Sequence, residues 1–79
     1  MAVDPDLAEL GRAVRAERNA RHLSQEELAE RSGLHRNYVG GIERGERNVG
    51  VKALFRIAEG LGIHPAKLLE RCAVDGASH

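Results

Sequence analysis

The chain contains a single cysteine, Cys72. It can form no disulfide within itself and has no C-x-x-C pair for zinc or redox chemistry. The histidines His22, His35, His64 and His79 are scattered without metal-ligand spacing, so no metal site and no cofactor are expected. No apolar run approaches the roughly 20 residues of a membrane span, and the first residues lack the apolar stretch of a secretion signal. A cytoplasmic protein is the expectation. Aromatic residues are scarce too, with one Tyr, one Phe and no Trp, so the core must come mainly from Leu and Val. With 79 residues the chain makes one small domain, 1–79. Such a domain buries only about 60% of its unfolded surface, and a core that thin gains from dimerisation.

Net charge is also missing: twelve basic residues balance twelve acidic ones. The balance hides a segregation. Residues 1–30 carry a net −3, residues 31–56 a net +4, and the remainder a net −1. A basic middle fits either a local footprint for phosphate or a solvated face, and charge alone does not choose between them.

No stretch alternates apolar and polar residues as a strand requires; the periodicity is helical throughout. Asp4-Pro5 reads as an N-cap followed by Pro at the first helical position, with Leu7, Leu10 and Val14 on one face of a helix reaching about Ala20. Ser24-Gln25-Glu26-Glu27 forms a capping box that starts a short second helix burying Leu28 and Ala29. Gly33 stops it, since a left-handed residue there is cheap only for Gly. A third helix runs from about His35 to Arg44 with Val39 and Ile42 inward, and Gly45 ends it. Val51 opens a fourth helix carrying Leu54, Ile57, Ala58 and Leu61, closed by Gly60 or Gly62. His64-Pro65 begins a fifth with Ala66, Leu68 and Leu69, and a tail from Ala73 is expected to fray.

Two short helices across a Gly-containing turn, about 24–45, fit the helix-turn-helix unit, whose second helix enters the major groove of DNA. Ala29 is small enough for the helices to approach, Gly33 makes the turn, and Leu34, Val39 and Ile42 lock the angle. Arg36, Asn37 and Tyr38 crowd the exposed start of the third helix. The run Leu23 to Ala29, Gly33 at the turn and Ile42-Glu43-Arg44-Gly45 resemble the Cro/C1-type (XRE) helix-turn-helix family over roughly Leu7 to Leu69. Within it, Arg36, Tyr38, Val39, Gly41 to Arg44, Arg47 and Asn48 are similar to the pattern of restriction–modification controller proteins. The resemblance implies an all-α fold, a compact five-helix bundle of the lambda-repressor-like type.

It also implies site roles that the chemistry of the residues supports. Arg36 is the expected base reader, its planar fork matching guanine O6 and N7, and Asn37 reads adenine or holds a phosphate. Gln25, at the amino end of the second helix, is placed to contact phosphate with help from the helix dipole. Tyr38, Arg47, Asn48 and Lys52 complete the phosphate set, with Arg47 and Asn48 alternatively reaching the neighbouring groove. Glu43 is expected in a structural ion pair, with Arg12 a candidate partner, because a carboxylate facing DNA would repel phosphate. Gly40 and Gly41 depart from the family pattern of long polar side chains. Either readout is narrowed to about two residues, or the glycines let the helix backbone sit close to DNA; the second is preferred.

Catalysis finds no support: no Ser/His/Asp or Cys/His set is placed by the helices and no Gly-rich phosphate loop follows a strand. The chain therefore reads as a non-enzymatic regulator of transcription that binds double-stranded DNA, with no small-molecule ligand. It is expected to act as a homodimer on a palindromic operator, through a face formed by Phe55, Leu61, Ile63, Leu68 and Leu69. An antitoxin or a protein-binding adaptor of the same fold is the alternative.

Overall fold

The computed structural model describes residues 4–76, with side chains through Cys72. Five helices follow in order: α1 (Pro5–Ala20), α2 (Gln25–Ser32), α3 (Arg36–Glu43), α4 (Val51–Leu61) and α5 (Pro65–Gly76). Among the described residues there is no strand. The architecture is the all-α five-helix bundle expected from the periodicity, and through the start of α5 each expected boundary falls within a residue or so of an observed one. Helix α5 extends to Gly76, past the Ala73 from which the tail is expected to fray, and residues 77–79 lie outside the described residues.

Local chemistry sets the helix ends. Asp4 Oδ1 accepts from the backbone N–H of Asp6 at 2.8 Å and of Leu7 at 3.3 Å, and Pro5 adds no further orphan donor. The capping box of α2 is complete: Ser24 Oγ accepts from Glu27 N at 3.0 Å while Glu27 Oε1 accepts from Ser24 N at 2.8 Å. That backbone hydrogen bond from Ser24 holds the Glu27 carboxyl below its usual pKa. Two helices use imidazole as the cap, His35 Nδ1 accepting from Asn37 N at 3.0 Å and His64 Nδ1 from Ala66 N at 3.1 Å. At the turn between α2 and α3, Gly33 adopts φ +69°, the left-handed conformation that side chains with a Cβ resist.

The core is aliphatic. Val14, Leu28, Val39, Ile42, Ile57 and Leu68 are each under 2% exposed, and every such burial is worth about 1.5–3 kcal/mol. Leu28 and Ala29 of α2, Val39 and Ile42 of α3, and Ile57, Ala58 and Leu61 of α4 all belong to this one cluster. Their shared burial fixes the angle between the two helices of the turn unit.

Two acidic residues lie inside this shell. Glu17 of α1 is 4% exposed; it accepts from Arg21 Nη1 at 2.6 Å and is paired with Arg71 of α5. The Arg71 hydrogen bond, outweighing burial, holds the Glu17 carboxyl below its ordinary pKa. Glu43 is the second, and it belongs to the face described next. Leu61 and Leu68, expected on a dimer face, are instead core residues at 3% and 0% exposure. Leu61 falls one turn after Ile57 and Ala58 on the inner face of α4, and Leu68 of α5 joins the same core cluster, so neither leaves surface to offer a second chain.

Candidate nucleic-acid interface

Helix α3 ends in the buried carboxylate of Glu43, whose side chain is fully shielded from solvent. Arg18 of α1 grips it twice, through Nε to Oε2 at 2.6 Å and Nη2 to Oε1 at 3.0 Å. Arg15 Nε adds a bond to Oε1 at 3.2 Å, and Gln25 Nε2 of α2 another at 3.0 Å. Burial pushes the Glu43 carboxyl up in pKa, but the combined donation of Arg18, Gln25 and Arg15 wins and holds it low. Glu43 raises the Arg18 pKa in return. The expectation of a structural ion pair is met, with the partner corrected. Arg12 pairs with Glu9, one turn earlier on its own helix, while Arg18 and Arg15 reach Glu43.

Gln25 is thereby tied down. One of its amide hydrogens is committed to Glu43, so only the other donor and the carbonyl remain for a ligand. Its amide forms one side of a shallow groove of about 250 Å3 lined also by Arg36, Asn37, Gly40 and Arg44. Arg36 and Asn37 are both exposed on the first turn of α3. Of the residues singled out in the sequence, the fold brings Gln25, Arg36 and Asn37 to this one groove. Asn48 and Lys52 lie beyond it, exposed in the α3–α4 connection and on the first turn of α4.

Arg44 lines the groove without having been anticipated. The signal was present: positions 36, 40 and 44 repeat every four residues and so share one helix face. Arg44 also donates from Nε to Glu46 at 3.0 Å, holding its guanidinium along the rim.

Both glycines are buried, Gly40 lining the groove beside Arg44 and Gln25 and Gly41 lying under Arg47. A Cβ on Gly40 would meet Arg44 Nη1 at 3.1 Å and Gln25 Oε1 at 3.4 Å. A Cβ on Gly41 would meet Arg47 Cγ at 2.7 Å and Nε at 3.3 Å. The guanidinium of Arg47 stands 5.7 Å from the centre of the Tyr38 ring, within cation–π range. Behind α3, the helix has no slack: a Cβ on Gly11 of α1 would sit 2.5 Å from the carbonyl oxygens of both Ile42 and Glu43.

A short exposed helix presenting Arg and Asn at its start, braced from behind by a second helix and a buried ion pair, defines a helix-turn-helix protein. The helix-turn-helix family (HTH_3) matches residues 14–68, and the chain belongs to it. More narrowly, it is a DNA-binding regulator of the restriction–modification controller type. It is 52% identical over 62 residues to Control protein C.SmaI of Serratia marcescens, a span covering 78% of this chain and 74% of that one. The controller protein C.AhdI from Aeromonas hydrophila superposes with a TM-score of 0.79 at 49% identity, covering 80% of this chain and 96% of the other. A third relative, the controller protein C.Esp1396I, was solved as a tetramer on its natural 35-base-pair operator. It aligns at 33% identity with a TM-score of 0.79, covering 85% of this chain and 88% of its own.

Among the described residues no helix is long and apolar enough to cross a membrane, and no three metal-ligating side chains gather.

Proposed function

We propose that this chain is a cytoplasmic, autoregulatory controller protein that binds a palindromic operator as a homodimer. The observation that carries the reading is the groove itself. Arg36 and Asn37 stand exposed at the start of α3 beside Arg44, while the carboxylate that would repel phosphate is buried and neutralised behind them. In this reading Arg36 takes a guanine edge and Asn37 an adenine edge in the major groove. Gln25, Tyr38, Arg47, Asn48 and Lys52 hold the backbone phosphates on either side.

One protomer offers too little surface for a specific complex of useful affinity; a twofold pair doubles it across a palindrome, with half-sites about 34 Å apart. Phe55 at 58% and Leu69 at 49% exposure, with half-buried Ile63, are the apolar residues left for the pairing face. In this reading control follows the concentration of the protein itself.

The test is a titration against a duplex selected by the protein from a random-sequence pool, with a scrambled duplex as control, at two salt concentrations. A preference of about a thousandfold, with two chains per half-site pair, supports the reading. Equal and weak binding to both duplexes overturns it and favours a protein-binding adaptor.

A further inference from the structure

Gly41 has no steric reason to be glycine within α3 itself, where it costs helix stability relative to Ala. The reason lies in the segment that follows. Gly45 takes φ +74°, and the reversal is closed by Gly45 N donating to Ile42 O at 3.0 Å and Glu46 N donating to Gly41 O at 2.9 Å. The chain therefore doubles back, and Arg47 lays its stem across the bare backbone at Gly41 before its guanidinium reaches the Tyr38 ring.

We infer that Gly41 and Tyr38 form a seat that positions Arg47 for phosphate before DNA arrives, which makes Gly41 a positioning residue for binding. The inference rests on the DNA-binding reading above. A free arginine gives up rotamer freedom when it grips a phosphate, and one already laid along the recognition helix gives up less. Arg47 itself stays exposed, so its guanidinium remains open to an anion while resting on the ring. A Cβ at position 41 falls on Arg47 Cγ, an atom near the root of the side chain, so the whole arginine must swing away.

The test uses opposite signs. Gly41→Ala is expected to raise the melting temperature by about 5 °C through helix propensity, while lowering affinity for the selected duplex by about tenfold. Arg47→Ala is expected to lower it by a similar factor and to flatten the salt dependence by about one unit of slope. In the Arg47→Ala background, Gly41→Ala should cost nothing further. In the DNA-free protein, the Arg47 side-chain protons should show ring-current shifts by NMR that persist in Tyr38→Phe and vanish in Tyr38→Leu and Gly41→Ala. Unchanged affinity in Gly41→Ala, an equal loss in both backgrounds, or absent ring-current shifts each overturns the seat. If the wild-type protein selects no duplex, the DNA-binding reading fails instead, and the NMR shifts still decide the seat by themselves.

Discussion

Arg18 and Glu43 join α1 to the end of α3 through two hydrogen bonds of 2.6 and 3.0 Å, and Arg18 Nη1 also donates to Leu23 O at 2.7 Å. One guanidinium thus fixes the recognition helix and the loop entering α2 together. Gln25 then receives its orientation from the same carboxylate.

Glu43→Gln is expected to destabilise the domain by about 3 kcal/mol. Removing one partner of a buried pair leaves the other, here Arg18 at 13% side-chain exposure, without its counter-charge. Urea denaturation followed by circular dichroism measures it. A change under about 0.5 kcal/mol would show that solvent already reaches Arg18 and replaces the lost counter-charge.

Acid should weaken the fold through both buried carboxylates. Glu17 and Glu43 have folded pKa values below the ordinary 4.5, so the unfolded chain binds protons first as pH falls. Their stabilisation is complete above about pH 4.5 and is lost as pH drops through the folded values, so stability rises with pH across that window. Thermal melts from pH 3 to 7 should show that rise, and Glu17→Gln should flatten it. An unaltered profile in the variant would assign the acid transition to other groups.

These two carboxylates also mark how far the sequence could be read. The capping box, the Gly33 turn and the spacing of Leu28, Val39, Ile42 and Ile57 are local signals, and helices follow local signals closely. That Glu43 needed a cationic partner was legible from its place on a helix that faces phosphate. Which arginine answered was not, because three arginines on α1, Arg12, Arg15 and Arg18, lie three residues apart and only the crossing of α1 over α3 selects Arg15 and Arg18. Gly41 was unreadable for the same reason: its neighbour, Arg47, arrives by a chain reversal. Leu61 and Leu68 were assigned outward because the face opposite the third helix has to carry the pairing if both third helices are to stay free, and core packing claimed these two side chains first.

Arg36→Ala should cost about 1–3 kcal/mol on the selected duplex and relax preference at a single base pair. Binding to a panel of single-base variants separates the two roles. Equal weakening on every sequence would make Arg36 a phosphate clamp.

Phe55→Asp should leave the helical signal intact but shift sedimentation toward the monomer, since the ring is over half exposed. Leu68→Ala should instead cost about 2–5 kcal/mol of folding stability at any protein concentration, as befits a side chain at 0% exposure. A dimer undisturbed by Phe55→Asp would move the pairing face elsewhere.

Gly11 leaves α3 resting carbonyl-to-backbone on α1, with no room for even one methyl group. The reading helix is thus set on a fixed bench, while the side chains of Arg36 and Asn37 point away from it into open space. Framework and vocabulary are separable in such a design. On the base contacts proposed above, substitutions at 36 and 37 should rewrite which bases are preferred without tilting the helix, whereas a change at 11 should tilt every contact at once and leave no sequence well read.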